Sequence, residues 1–151
     1  MQLKPLYTVR FHYPELWAVG IGEGDEAEYF AFAEGTCTGR LLGRFRGANH
    51  PHRRVDHTFG MDIQGLIETD DAATIIFDYM GYGRAYPKGR RQVVGAAKHY
   101  SDHERYQWLN DSICAIAGEV RSPNKPAEEL KQGDIELVFD VSELVWEAPQ
   151  D

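Results

Sequence analysis

FGMDIQGLIETDDAATIIFDYMGY, residues 59–82, decides the fold class. Polar and apolar residues alternate on both sides of its centre. In the first half, Asp62 and Gln64 share one face. In the second, Thr74, Asp78 and Tyr82 take one face while Ile75, Phe77 and Tyr79 take the other. A period of two is the signature of a strand, because successive side chains leave the backbone on opposite sides. The acidic pair Asp70-Asp71 interrupts the pattern with turn-forming residues. Two strands joined by a tight turn, an antiparallel hairpin, follow from these 24 positions.

The same alternation extends outward in both directions. Leu6–His12, Glu28–Thr36 and Arg40–Arg46 precede the hairpin, and Arg91–Tyr100, Ile113–Arg121 and Asp134–Trp146 follow it. Turn signals separate them at Gly39, GANHP (47–51), PKG (87–89) and SPNKP (122–126). About eight or nine strands with short links predict an all-β chain, a single closed or nearly closed antiparallel β-barrel. The one helical stretch is DHERYQWLN, 102–110, where Ser101 and Glu104 have the spacing of a capping box. It predicts about two turns of helix across one end of the barrel.

Composition agrees with one domain over 1–151. The chain has 151 residues, 42% hydrophobic and 26% charged, with a net charge of −8. That size supports one hydrophobic core, and that charge argues against nucleic acid or an anionic membrane as partner. The N-terminal stretch lacks the continuous apolar run of a signal peptide, and no run approaches a membrane-spanning helix. A cytoplasmic location is the expectation, with Cys37 and Cys114 as reduced thiols. Charge is uneven: residues 40–98 hold ten of the sixteen basic residues, and 15–34 hold six acids and no base.

A barrel whose strands alternate can send polar groups into an apolar lumen, which is the make-up of a small-molecule pocket. On that reading Asp62, Gln64 and Asp78 converge inside. Arg84 and Tyr86, in GYGRAYPKGRR, are aimed across the mouth by the neighbouring glycines. His99 ends a strand on the face of Val93 and Ala97, and Trp108 and Asn110 lie in the helical stretch. Asp62 is the expected general base, its pKa raised by the apolar lumen. Arg84 polarises a substrate oxygen, His99 is a reserve acid or base, and the others shape and orient. The segment HPHRRVDH (50–57) brings His50, His52 and Asp56 close in sequence. Pro51 between the histidines and the cations Arg53 and Arg54 weigh against a metal there. No phosphate loop, nucleophile elbow or dinucleotide fingerprint is present, so neither a metal nor a nucleotide cofactor is expected.

Four stretches together identify a resemblance: EGTCTGRLLGRFRG (34–47), DIQGLIETDDAATIIFDYMGYGR (62–84), ERYQWLND (104–111) and VFDVSEL (138–144). They resemble the family catalogued as domain of unknown function 3237, an uncharacterised bacterial and fungal group, over nearly the whole chain. The resemblance implies a compact antiparallel barrel similar to calycins and to allene oxide cyclase and dirigent barrels. Some of those proteins steer reactions of lumenal molecules without a cofactor. It places Asp56, Asp62, Asp70, Asp71, Arg84, Tyr106, Trp108 and Asn110 at the family's polar and aromatic positions. The chain departs from the family at Ala72, where glycine is more usual, and at ANHPH (48–52).

Two functions compete. One is a cofactor-independent isomerase, cyclase or lyase acting on a small apolar or aromatic carbonyl or carboxylate compound. The other is a non-catalytic ligand-binding or homo-oligomeric barrel whose lumen is filled by Phe30, Phe32, Phe77 and Phe139.

Overall fold

Nine strands run antiparallel through the molecule: β1 Gln2–Gly20, β2 Ala27–Gly39, β3 Gly43–Asn49, β4 His52–Arg53, β5 Phe59–Thr69, β6 Thr74–Ala85, β7 Arg91–Tyr100, β8 Cys114–Arg121 and β9 Glu136–Val145. This computed structural model describes residues 1–22, 24–85, 91–121 and 132–150. The sheet order is β1-β9-β8-β7-β6-β5-β3-β2, and β1 pairs with β2 to close the ring. Eight strands therefore form a closed barrel, and the short β4 is an extra strand. β4 bridges β2 and β5, in line with β3, through His52 opposite Glu28 and Gly60. Pro51 has no N–H to give a ladder, so the strand breaks there and resumes after it. The break is held by hydrogen bonds from Tyr29 N to the Pro51 carbonyl (2.8 Å) and from His50 N to the Asp62 carbonyl (2.9 Å).

The hairpin at 59–82 forms as its alternation predicts, with Ile67 opposite Ile75 and Glu68 opposite Thr74. At the turn the Thr69 hydroxyl binds the Asp71 carboxylate. Ala72 takes the left-handed conformation, φ 68°, where a glycine would sit without steric cost. The helix expected at 102–110 is reduced to a 3₁₀ turn over Gln107–Asp111 with no side-chain cap. Asn110 binds the backbone of Ser101 instead, accepting from its N–H (2.8 Å) and donating to its carbonyl (2.9 Å). That clamp pulls the segment back on itself before an α-helical ladder develops.

The lumen is packed at mid-height. Phe11, Phe45, Phe77, Tyr79 and Phe139 are all under 2–3% exposed. Phe11 meets Phe139 edge-on at 5.1 Å between centroids, and Phe45 meets Phe77 at 5.6 Å. Tyr79 lies in a notch left by Gly81 and Gly95, since a Cβ on Gly81 would sit 2.2 Å from the Tyr79 hydroxyl. Of the four phenylalanines expected in the lumen, Phe77 and Phe139 are there. Phe30 and Phe32 are 42% and 44% exposed on the outer surface, where they cluster with Trp17. Buried Ala31 and Ala33 hold the inward positions of that stretch, and alternation forces the phenylalanines out. Among the described residues no helix is long and apolar enough to cross a membrane.

Candidate functional site

At the end of the barrel where β4 lies, the packed lumen opens into a cavity of about 270 Å³. Its wall is mostly apolar: Leu16 from β1, Pro51, Phe59 and Met61 from β5, Val120 from β8, and Ile135 and Leu137 around the start of β9. A register shift in β1 between His12 and Glu15, at Pro14, lets Tyr13 and Leu16 both contribute, as a bulge re-aims side chains. Four polar residues complete the lining: Tyr13, Tyr29, Arg53 and Arg91. The arginines lie on rings. The Arg91 guanidinium is 3.9 Å from the centroid of Phe59 and that of Arg53 is 5.7 Å from that of Tyr29. The two rings themselves are 5.8 Å apart. Arg53 Nε donates to the Asp25 carbonyl. Among the described residues neither guanidinium is paired with a carboxylate.

Behind this wall is a second polar layer. Asn49, fully buried, donates from Nδ2 to the Tyr13 hydroxyl at 2.8 Å. Asn49 Oδ1 and the Tyr79 hydroxyl, both buried, have no hydrogen-bond partner among the described residues. Burial pushes the Tyr13 phenol up to about 12, against the Asn49 hydrogen bond and Arg91, which lower it. It pushes Tyr79 up as well, with Tyr13 adding to the effect. Both phenols are therefore neutral donors at neutral pH. Arg91 is lowered by burial above all and by the neighbouring Arg53 charge, while Tyr29 and Tyr13 oppose the shift.

The carboxylates expected inside the barrel are outside it. Asp62, Gln64 and Asp78 are exposed, with Gln64 opposite Asp78, and Asp78 opposite Lys98. Ile63, Ile67, Ile75, Phe77 and Tyr79 occupy the inward positions, so alternation sends the neighbouring polar residues to water. Arg84 is exposed too, and its Nε donates to Gln92 Oε1 at 3.3 Å rather than crossing the mouth. Tyr86 lies outside the described residues.

His99 does point inward, but into the packed core rather than the cavity. It is 0% exposed, with Nε2 2.6 Å from the Tyr7 hydroxyl and Nδ1 3.9 Å from Cys114 Sγ. Burial pushes its pKa down to about 4, so the imidazole is neutral at neutral pH.

Trp108 and Asn110 are at the opposite end. Trp108 Nε1 donates to the Arg105 carbonyl (3.1 Å), and the Arg40 guanidinium covers its ring at 4.4 Å. Trp108 and Arg40, with Leu42, Asp70, Asp71, Arg105 and Tyr106, border an open groove of about 380 Å³, and Asn110 lies outside that lining. Within it, Asp71 takes hydrogen bonds from Thr69, from Tyr106 (2.9 Å) and from Arg105 (2.8 Å). The Thr69 bond above all holds the Asp71 carboxyl below its usual range; desolvation opposes it, and the hydrogen bonds of Tyr106 and Arg105 add to the lowering. The Asp71 carboxylate at this end is thus fully engaged by its neighbours.

The two histidines flanking Pro51 engage glutamates of β2 and the turn before it. His50 Nε2 is 3.0 Å from Glu28, and His52 lies between Glu28 and Glu26, the latter at 3.2 Å. Asp56 instead takes hydrogen bonds from the Thr58 amide (3.0 Å) and hydroxyl (2.6 Å). Among the described residues no group of three or more His, Cys, Asp or Glu is arranged to hold a metal ion.

The residues that sequence reasoning passed over are Tyr13, Tyr29, Arg53 and Arg91. Arg91 carried a legible signal, because it shares the parity of Val93, Ala97 and His99 at the first position of its strand. Arg53 carried none, since its direction depends on a strand that resumes after Pro51.

Comparison with known proteins places the barrel among similar ones. The family described as "Protein of unknown function (DUF3237)" matches residues 1–143. No curated protein matches in sequence. A β-barrel-like protein from Acinetobacter baumannii is 19% identical with a TM-score of 0.75, over 94% of each chain. A protein of unknown function from Clostridium acetobutylicum is 13% identical with a TM-score of 0.78, over 95% of this chain and 97% of its own. An enzyme from Penicillium herquei is 20% identical with a TM-score of 0.64, over 93% of each. At these identities the likeness is one of fold.

Proposed function

From the premise that this chain belongs to the DUF3237 family, whose description assigns no activity, we propose that it is a small-molecule-binding β-barrel with its ligand seated in the Tyr13–Phe59–Arg91 mouth cavity. The observation that carries this reading is the cavity's make-up: a largely apolar wall with a few convergent polar groups, set above a lumen that is otherwise filled. That combination is what ligand sites share, and about 270 Å³ suits a compact molecule of one or two rings. Apolar surface drives the ligand in. Phe59 and Tyr29 offer ring faces for stacking, and Tyr13 offers a positioned hydroxyl.

Binding is favoured over catalysis by position. The general base and the polarising arginine of an isomerase or lyase reading, Asp62 and Arg84, are on the outer surface, away from the cavity. The Penicillium herquei enzyme lends this chain its fold and no residue roles.

The test is calorimetric titration with two compact probes, 1-naphthamide and 1-naphthoate, on the wild type and on Val120→Trp. The added indole fills the cavity from its rim. Saturable one-site binding of a probe by the wild type and its loss in a Val120→Trp protein of unchanged circular dichroism is the expected result. Failure of both probes to bind, or equal binding by the filled variant, contradicts the proposal.

A further inference from the structure

We infer that the ligand of the mouth cavity is an organic carboxylate, its apolar body against Phe59 and its anionic head held between Arg91 and Arg53. This rests on the cavity reading above and adds the charge of the ligand.

Arg10, Arg44, Arg46, Arg105 and Arg121 each face a carboxylate, of Glu136, Glu34, Glu68, Asp71 and Glu119 respectively. Arg40, Arg54 and Arg84 have no carboxylate partner among the described residues either, but they are exposed, the first two over Trp108 and Tyr82 and the third on Gln92. Arg53 and Arg91, which line the cavity, are the two half-buried arginines among the described residues. Each lies on an aromatic face, and among the described residues no carboxylate pairs with either. They also feel each other, since the charge on Arg53 disfavours the charged form of Arg91.

Two like charges at the rim of an apolar cavity are costly unless an anion joins them. A carboxylate suits this site better than a larger or more highly charged anion. A guanidinium offers a planar fork that matches its two oxygens, and the remaining wall is apolar. Stacking on Phe59 fixes the plane of the Arg91 fork before the ligand arrives. Tyr13 adds a third contact. Its hydroxyl already accepts from Asn49, which leaves its own proton to donate to a ligand oxygen.

The experiment compares 1-naphthoate with 1-naphthamide, which share the ring system and differ in charge, by titration calorimetry at neutral pH on the wild type, Arg91→Gln and Arg53→Gln. The wild type should bind the carboxylate at least about tenfold more tightly than the amide, the scale of one charge-assisted bidentate contact. Raising the salt concentration should weaken the carboxylate alone. Arg91→Gln should remove most of that preference while leaving the amide's affinity within about twofold. Equal affinities of the wild type for the two probes overturn this inference and leave the cavity reading standing. Binding of neither probe overturns both. Should Arg91→Gln fail to fold, the wild-type preference, its salt dependence and Arg53→Gln decide the matter.

Discussion

Acidification should destabilise this protein through a single buried imidazole. His99 is wholly inside the barrel, and burial lowers its pKa from 6.5 to about 4. Its Nε2 shares a hydrogen bond with the Tyr7 hydroxyl, and its Nδ1 faces the Cys114 thiol. Above about pH 6.5 the imidazole is neutral in both the folded and the unfolded chain and adds no pH dependence. Between pH 6.5 and 4 the unfolded chain binds a proton that the folded chain refuses, so stability falls as the pH falls. Below pH 4 both states are protonated and the loss stops growing. A shift of that size corresponds to about 3 kcal/mol at full extent, a large part of the stability of an ordinary domain. The assay is urea unfolding, followed by circular dichroism between pH 7 and 4.5, on the wild type and His99→Gln. The variant is less stable at pH 7, by about 1–3 kcal/mol, for its lost contacts. It should, however, lose distinctly less than the wild type on acidification, because contributions from the carboxylates and from the other histidines are common to both. Parallel pH profiles for the two proteins would refute the reasoning.

Three further outcomes follow from individual contacts. Ala72→Gly, which relieves the left-handed φ of 68° at the β5–β6 turn, should raise stability by about 0.5–1 kcal/mol, read as a melting temperature higher by about 2 °C. Asn110→Ala, which cuts both bonds to the Ser101 backbone, should cost about 1–3 kcal/mol in urea unfolding without changing the affinity for 1-naphthoate. The thiols of Cys37 and Cys114, raised by burial to about 12 and about 11, should both be inert to a disulfide reagent at pH 8 in the native protein and both react once it is unfolded. A fast native thiol would show that the core around Tyr7 opens.

The fold was legible because its signals are local. Ile67, Ile75 and the Asp70-Asp71 turn between them specify a hairpin without reference to the rest of the chain. The site was legible only in kind. Alternation shows that Asp62 and Gln64 share a face, but not which face the barrel encloses. That is settled by the larger apolar set of Ile63, Ile67, Phe77 and Tyr79 and by closure of β1 onto both β2 and β9. Those pairings join residues as distant as Leu3 and Leu144, and no local pattern carries them. The cavity depends on such long-range features. Tyr13 and Leu16 reach it through the shift at Pro14, and Arg53 through a strand broken by Pro51. The stretch 102–110 shows the reverse: its local capping pattern lost to the hold of Asn110 on Ser101.

The three methionines report on the central claim most directly. Met61 lines the mouth cavity, Met80 is 73% exposed on the outer face opposite Asp62, and Met1 is at the terminus. In a spectrum of protein labelled with carbon-13 at the methionine methyl groups, saturating 1-naphthoate should shift the Met61 resonance strongly through the ring current of the bound probe. The Met80 and Met1 resonances should stay in place. A stationary Met61 resonance at saturation, or a moving Met80 resonance in its stead, would contradict a ligand seated in the mouth of the barrel.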